Sequence, residues 1–263
     1  MNEIYLSVII PAYNEERRLP KTLEEIDKYL SKQTVAEDLP HLPPRSASPR
    51  SVYDYEILVV NDGSKDKTVE VAKSLIPKIK NLKVTGYEKN QGKGYAVRYG
   101  MLEAKGDFRI FTDADNSTSI DHLEKMWPEF EKGFEVVIGT RDPRDAKGAC
   151  QAFPQSWGRR RLGDIYNILV QIICGLWGIW DTQCGFKGFT KKAAENIFPK
   201  SKINRFSFDP EILVIAKKLG YKIKIVPTYW KNDPYTTVKF KSMVKMGFDL
   251  LKIRWNLIRK KYD

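Results

Sequence analysis

Two aspartates one residue apart follow a short apolar stretch near the middle of the sequence. The stretch RIFTDADNST, residues 109–118, places Asp113 and Asp115 directly after strand-forming residues. In an extended chain they lie about 6–7 Å apart at Cα, so their charges repel unless a cation lies between them. Carboxylate oxygens suit Mg²⁺ or Mn²⁺, which also bind substrate phosphates. The pair therefore predicts a metal site for a phosphorylated ligand, although two solvated turn aspartates give the same pattern.

Two further polar stretches follow apolar ones. NDGSKDKT, residues 61–68, contains Asp62, which can accept hydrogen bonds from a ribose or a base, although these residues also favour a simple turn. NQGKGYAVRYG, residues 90–100, has glycines that permit close backbone approach, and it adds the charge of Lys93. It matches neither the P-loop nor the dinucleotide-binding pattern, so it is a weak indication of a phosphate site.

Cationic side chains are candidates for binding an acceptor phosphate. A phosphomonoester is mostly a dianion at neutral pH, so it needs cations that position it rather than a strong base. The arginine fork suits this task. Arg141 follows the apolar stretch at 134–140 and is expected at the same sheet edge as the aspartates. The other candidates are Arg159, Arg160, Arg161 and Lys187, and at least one of the three consecutive arginines is expected to be solvated surface.

Asp181 is the candidate base if the acceptor is a hydroxyl, because a hydroxyl needs a carboxylate near the reacting carbon. Capping of a loop or helix end is its alternative role. The two acceptor classes separate at this residue. The substitution Asp181→Asn is expected to spare transfer to a phosphate and to abolish transfer to a hydroxyl.

Apolar stretches alternate with helical patterns through the first half of the chain. Strands are expected at about 5–12, 55–60, 82–87, 108–112 and 134–140. Such alternation predicts an α/β fold with a mainly parallel sheet and helices on both faces. The loops after the first, second and fourth strands should then meet at one edge, where the carboxyl ends of parallel strands gather functional residues.

The alternation stops after about residue 150. One catalytic domain is expected over 1–230, with a donor half at 1–140 and an acceptor half at 141–230, followed by a basic amphipathic helix at 231–263. The stretch DTQCGFKGFT near residue 185 is interpreted as a loop. The proline-rich excursion at 36–50 receives no chemical role.

Two segments of the second half favour either core packing or a membrane surface. The apolar run at 165–180 is shorter than the roughly 20 residues needed to span a bilayer. In the last helix, Met243, Met246, Leu250, Ile253 and Leu257 follow helical spacing, and the same apolar face is expected to include Phe240, Val244, Leu251 and Ile258. Lysines and arginines occupy other positions, which is also typical of a helix drawn to anionic lipid.

The composition limits the classes of protein. The formal net charge of +12 suits nucleic acid, anionic lipid or phosphorylated substrates. A nucleic-acid-binding protein is disfavoured, because the aromatic residues lie mostly in apolar runs and the two aspartates would repel phosphates without a metal. Three cysteines without pairing or metal spacing favour a reducing compartment. The first strand is expected at about Tyr5, which leaves no room for a signal peptide before it.

Several motifs in fixed order carry a resemblance. SVIIPAYNEE, VVNDGSKDKT, GKGYAVRYGM and FTDAD resemble the nucleotide-sugar half of family 2 glycosyltransferases with the GT-A fold. VVIGTRD, GRRRLGDIYN, DTQCGFKGFT, FSFDPEIL and IVPTYW are similar to the dolichyl-phosphate β-glucosyltransferases and their polyprenyl-phosphate relatives. The resemblance covers nearly the whole chain apart from 36–50.

The resemblance implies roles for individual residues. Asp113 and Asp115 would hold Mg²⁺ or Mn²⁺ and the diphosphate, and Asp115, Arg141 and Asp181 would be catalytic. Arg141, Arg159, Arg160 and Lys187 would bind the acceptor phosphate. The nucleotide-sugar pocket would comprise Pro11, Ala12, Tyr13, Glu15, Asp62, Lys93, Gly94, Asp113, Ala114 and Asp115. Many mannosyl relatives have a metal-binding Gln where this chain has Ser117, so the metal shell is expected either to have fewer ligands or to be completed by water.

The implied activity is inverting transfer of a sugar, glucose being favoured, to a polyprenyl or dolichyl phosphate. The implied donor is a UDP-sugar in preference to a GDP-sugar. The implied location is peripheral, on an anionic membrane surface at its cytoplasmic face, without nucleic acid as a partner. A transferase of the same fold that extends a glycan on a sugar hydroxyl is the alternative.

Overall fold

The computed structural model describes residues 4–33, 54–152, 157–231 and 240–263. The predicted excursion at 36–50 lies outside the described residues, as do the side chains of Phe240 and Met243.

In the described part of the chain, seven strands form a central sheet with helices on both faces, and two short strands form a separate pair. The strands are β1 Leu6–Ala12, β2 Tyr55–Asp62, β3 Leu82–Tyr87, β4 Phe108–Phe111, β5 Val136–Thr140, β6 Cys150–Gln151, β7 Lys187–Thr190, β8 Ile223–Pro227 and β9 Tyr229–Trp230. The helices are α1 Leu19–Gln33, α2 Thr68–Ser74, α3 Lys93–Glu103, α4 Leu123–Glu131, α5 Trp157–Cys174, α6 Lys191–Ile197, α7 Phe208–Lys218 and α8 Phe240–Ile258. The strand order is β3-β2-β1-β4-β7-β5-β8, while β6 and β9 form a separate pair.

Parallel pairing sets the edge at which the polar loops meet. β1 pairs in parallel with β2 on one side and with β4 on the other. Almost every side chain of β1 and β2 is buried, because helices pack on both faces of a parallel sheet. The carboxyl ends of β1, β2 and β4 therefore lie along one edge. The predicted α/β class and the five predicted strands are confirmed.

β7 corrects the interpretation of DTQCGFKGFT as a loop. This strand runs antiparallel between β4 and β5, with Lys187 opposite both Phe111 and Ile138. Its four residues include a lysine and a glycine, so no apolar run marks it in the sequence. Gly188 is required here, because a Cβ would crowd Phe130 and Met126. Since β7 is reversed, the residues that precede it reach the carboxyl ends of β4 and β5.

α5 and α8 pack against each other and differ in detail from the expectation. α5 ends at Cys174, and Gly175, with a φ of 70°, begins a turn, so the apolar run at 165–180 is not one helix. α8 buries Leu250 and Ile253 in the core. Val244, Leu251 and Ile258 were expected on this face but are exposed. At about 100° per residue they lie well away from it on the helix.

Within the described residues, no helix is both long enough and apolar enough to cross a bilayer. The division of the chain at residue 230 stays a prediction.

Candidate active site

The aspartates after β4 lie beside the amino terminus of α3. Lys93, the first residue of α3, forms an ion pair with Asp113, with 2.5 Å between Nζ and Oδ1. Burial would lower the pKa of Lys93, but the charges of Asp113 and Asp209 outweigh it and raise the pKa. The lysine is therefore charged at neutral pH. The contact brings together two of the stretches that the sequence singled out.

The pKa of Asp115 lies above its ordinary value. Burial raises this pKa, and the charge of Asp113 raises it further. The Oδ1 atom of Asp115 accepts a hydrogen bond of 2.9 Å from the backbone N–H of Ser117, which orients this carboxylate in the loop after β4. The charge of Asp113 thus disfavours the charged form of Asp115, and a pair of carboxylates that offers only oxygen donors fits a Mg²⁺ or Mn²⁺ ion.

The described residues contain no cluster of three or more acidic, histidine or cysteine side chains that could hold a metal. Asp113 and Asp115 would therefore need diphosphate oxygens or water to complete the coordination shell, as Mg²⁺ sites commonly do.

Asp62 holds the loop that leads to Lys93. Its carboxylate accepts hydrogen bonds from the backbone N–H groups of Gln91 at 2.7 Å and Gly92 at 2.9 Å, and from the side chain of Asn90 at 2.9 Å. The residue is only 3% exposed. Its oxygens thus hold the glycine-rich loop in place, and the contact with a base or ribose stays a prediction.

The loop after β1 forms another wall of the same edge. Burial raises the pKa of Glu15 against the pull of Arg18, and the charges of Asp115 and Asp113 add to the rise, so Glu15 lies near the aspartates. Its backbone N–H donates to the hydroxyl of Thr68, 2.7 Å away, which joins this loop to α2. The remaining predicted nucleotide-pocket residues divide by exposure: Tyr13 is exposed and Pro11 half-buried, whereas Ala12, Gly94 and Ala114 are buried.

The buried small residues act through packing. Gly94 lies against Ile203 and Phe208, where a Cβ would overlap both. The carbonyl of Ala114 accepts a hydrogen bond of 2.8 Å from Thr22. Gly94 therefore brings α3 close to the segment before α7, and its predicted place in the nucleotide-sugar pocket stays a prediction.

Arg141, which is half-buried, and Asp181, which is buried, form an ion pair on the other side of the site. The Nε and Nη2 atoms of Arg141 each donate a 2.7 Å hydrogen bond to the carboxylate of Asp181, and the backbone N–H of Arg141 donates a third at 2.9 Å. Burial would raise the pKa of Asp181, but the charge of Arg141 outweighs it and holds the pKa below its ordinary value. A carboxylate with a lowered pKa and this many donors is a poor base. The structure therefore argues against the predicted base at Asp181.

Trp230 is a site residue that the sequence did not reveal. Its ring lies 5.3 Å from the guanidinium carbon of Arg141. The preceding residue, Tyr229, donates its backbone N–H to Nε2 of His122 at 2.8 Å, which fixes β9 at this edge. No helical or alternating pattern marks β9, because it has only two residues.

Lys187 corrects a second prediction. It is fully buried, and its Nζ lies 2.5 Å from both the Asp209 carboxylate and the carbonyl of Cys184. An ammonium group engaged in this way in the middle of the sheet cannot also bind an acceptor phosphate. Asp209, which the sequence reasoning missed, is a buried carboxylate whose pKa is raised by burial against the charges of Lys187 and Lys93.

The remaining predicted cations lie on α5. The side chains of Arg159 and Arg160 lie outside the described ones, and Arg161 is exposed. Their predicted role at an acceptor phosphate stays a prediction.

Gly185 connects the two sides of the site. A Cβ on this residue would overlap the carboxylate of Asp113. The segment 181–185 thus begins at the partner of Arg141 and ends against Asp113. Lys93, Asp113, Asp115, Arg141 and Asp181 therefore line one continuous site at the sheet edge.

A family model and curated relatives both identify the chain as similar to glycosyltransferases. The model of glycosyl transferase family 2 matches residues 7–198. A dolichyl-phosphate beta-glucosyltransferase of Trichomonas vaginalis is 35% identical over 256 residues, covering 95% of this chain and 73% of the relative. The Homo sapiens protein of the same name is 34% identical over 261 residues, covering 95% and 74%.

Solved structures agree at the level of the fold. Glucosyl-3-phosphoglycerate synthase from Mycobacterium tuberculosis, in complex with Mn²⁺, UDP-glucose and phosphoglyceric acid, superposes with a TM-score of 0.62. It is 14% identical, and the match covers 98% of this chain and 80% of that one. Together with the family match, this likeness supports the GT-A fold.

Proposed function

Because the chain belongs to glycosyl transferase family 2, we propose that it transfers glucose from UDP-glucose to dolichyl or a related polyprenyl phosphate, with inversion at the anomeric carbon. The names of relatives about one-third identical over 95% of the chain support this choice of substrates. One structural observation carries the proposal: Asp113, paired with Lys93, lies at one end of segment 181–185, and the half-buried Arg141 is bound at the other.

On the donor side, Asp113 and Asp115 would hold Mg²⁺ or Mn²⁺ next to the diphosphate. When bound, the ion neutralises the charge that grows on UDP as it leaves. Lys93 already contacts Asp113 and is charged, so it can move to a diphosphate oxygen with little change of position. Asp62 holds the loop that presents this lysine.

On the acceptor side, Arg141 positions the phosphate. Asp181 occupies its Nε and Nη2 atoms, whereas Nη1 has no hydrogen-bond partner in the described part of the chain. A phosphate oxygen attacks C1, the bond from C1 to the UDP oxygen breaks, and the electron pair leaves with UDP. The attacking dianion carries no proton that must be removed, so a base at Asp181 is not needed. The hydroxyl-acceptor alternative does need a base, and it loses its candidate because Arg141 engages Asp181 and holds its pKa below the ordinary value.

A surface for the lipid part of the acceptor lies on α5 and α8. We define the exposed apolar strip as Ile165, Ile168, Leu169, Ile172, Trp177, Val244, Phe248, Leu251, Trp255 and Ile258, which are 38–68% exposed. The strip lies opposite the core-facing sides of two helices that pack together. Soluble monomers rarely expose a contiguous apolar face of this kind unless it binds something.

Charge favours a membrane as the occupant of the strip. Lys245, Lys252 and Arg259 are exposed on α8 and lie beside its apolar face. A helix that is apolar toward the lipid and flanked by cations binds the interface of an anionic bilayer. We place this membrane surface on the cytoplasmic side, a choice supported by cysteines that are all free, Cys150, Cys174 and Cys184.

The proposal is tested with the purified chain, UDP-[¹⁴C]glucose, Mn²⁺ and dolichyl phosphate in phosphatidylcholine vesicles. We expect label to pass into the lipid fraction as a β-glucosyl phosphate ester. Dolichol without phosphate is the control acceptor and should stay unlabelled. Labelling of dolichol, or of a sugar hydroxyl but not of dolichyl phosphate, would overturn the proposal.

A further inference from the structure

The segment 181–185 is placed where the transferred sugar must lie. Asp181 binds Arg141, and Gly185 lies against Asp113. In the proposed displacement, C1 of the sugar lies between the leaving oxygen, on the Asp113 side, and the attacking oxygen, on the Arg141 side. The hexose ring therefore lies beside residues 182–184.

Two polar atoms of this segment lack partners. Oγ1 of Thr182 and Nε2 of Gln183 are shielded from solvent and have no hydrogen-bond partner among the described residues. Thr182 is only 1% exposed. Buried donors in native proteins are nearly always hydrogen-bonded, so each exception calls for an explanation. At this position the missing partner is best supplied by a ligand.

The backbone around these atoms is fixed. The N–H of Gln183 donates to Oδ1 of Asp181 at 3.1 Å, so the pair with Arg141 also holds Gln183. Cys184 is fully buried, with its Sγ 3.8 Å from Oγ1 of Thr228. Thr182 and Gln183 are thus the side chains of this segment that have an unsatisfied polar atom in the described structure.

We propose that Gln183 and Thr182 form the subsite for the hydroxyl groups of the transferred hexose, with the carboxamide of Gln183 as the group that determines sugar specificity. This inference rests on the proposed function for the direction of transfer. A hydroxyl carries both a donor and acceptor lone pairs, so it can satisfy the orphaned Nε2 atom. A site built to bond a hydroxyl discriminates strongly against analogues that lack it.

The test measures binding of UDP and of UDP-glucose, with Mn²⁺, by isothermal titration calorimetry. Gln183→Leu is expected to weaken binding of UDP-glucose about tenfold to a hundredfold, with binding of UDP unchanged. Thr182→Val is a second variant with the same expected pattern. Gln151→Leu, at an exposed glutamine on β6, is the matched control and should leave both affinities unchanged.

Deoxy analogues of UDP-glucose identify the hydroxyl. The native protein should bind one deoxy analogue more weakly than UDP-glucose, and Gln183→Leu should bind that analogue and UDP-glucose equally. If the ratio of UDP-glucose to UDP affinity is the same in Gln183→Leu as in the native protein, the subsite is wrong. The binding result is independent of lipid labelling, so loss of the proposed acceptor would leave this measurement decisive.

Discussion

The carboxylate of Asp181 holds the guanidinium of Arg141 through two side-chain hydrogen bonds of 2.7 Å. This contact assigns Asp181 a positioning role, and it reverses the expectation from sequence that Asp181→Asn would spare transfer to a phosphate. An amide can accept one of the two bonds but cannot match the charge of the arginine.

Asp181→Asn is therefore expected to lower kcat/KM for dolichyl phosphate by up to about 10²-fold, because a small displacement of a positioning group has effects of that size. Binding of UDP should be unchanged. Since the pKa of Asp181 lies below its ordinary value, its charge persists from neutral pH down through the acid range. The pH profile of the native enzyme should accordingly show no step from this residue near neutrality.

Asp263→Asn is the control for this substitution, because Asp263 is exposed and its partner, Lys218, is the last residue of α7. Native kcat/KM in Asp181→Asn would refute the positioning role, provided that circular dichroism shows the same fold.

The paired aspartates predict metal-dependent binding of UDP. In a thermal-shift assay, UDP at about a hundred times its Kd should stabilise the protein by about 2.7 kcal/mol when Mn²⁺ is present. With EDTA in place of Mn²⁺ the shift should disappear, because the diphosphate would face unscreened carboxylates. Asp113→Asn and Asp115→Asn should each lose most of the shift, whereas Asp263→Asn keeps it. Equal stabilisation by UDP with and without metal would contradict this prediction.

The buried pair of Lys187 and Asp209 predicts a stability effect. Lys187→Met leaves Asp209 buried without its partner and should lower the free energy of unfolding by about 3–5 kcal/mol. Lys132→Met breaks an exposed pair with Glu129 and is the matched control, with an expected loss of at most about 1 kcal/mol. Urea titration followed by fluorescence measures both. A small loss in Lys187→Met, with acceptor binding abolished, would restore the predicted role of Lys187 at the acceptor phosphate.

The exposed apolar strip predicts binding to vesicles. Phe248→Glu and Trp255→Glu should each weaken sedimentation with phosphatidylcholine–phosphatidylserine vesicles at least about tenfold, because each removes a large apolar side chain from the lipid interface. Ile76→Glu, at an exposed apolar residue outside the strip, should bind like the native chain. Raising the salt should weaken native binding, since the flanking cations contribute.

The competing occupant of the strip is a second copy of the chain. The strip would be a dimer interface instead if three results were found together. The native protein would sediment poorly with vesicles, it would elute as a dimer, and both glutamate variants would elute as monomers.

The sequence predicted those parts of the fold that depend on long apolar runs. β1, β2 and β5 are buried on both faces, and such strands have a continuous apolar signature. β7 escaped because a buried lysine and a glycine interrupt its four residues. The charge of Lys187 is tolerated there because Asp209, distant in sequence, satisfies it. Pattern reasoning along the chain cannot anticipate a partner that tertiary packing brings.

For the site, the sequence predicted which loops meet but not which way each carboxylate faces. The meeting of Lys93 with Asp113 follows from parallel topology, since both lie at carboxyl ends of strands or in the loops beyond them. Whether a carboxylate faces a ligand or its own chain does not follow. Asp62 and Asp181 both lie near the reactive edge, yet each holds a neighbouring segment in place. That distinction depends on side-chain direction, which periodicity does not encode.

Because β7 runs antiparallel between β4 and β5, strand register sets the spacing between the two sides of the site. The hydrogen bonds of β7 place Lys187 opposite Phe111, so the distance between Asp113 and Arg141 depends on this register and not on the length of any loop. A slip of one residue would exchange the two faces of the strand and expel the buried lysine. A change in the length of the connections elsewhere would leave the spacing between Asp113 and Arg141 unaltered, because strand register sets it.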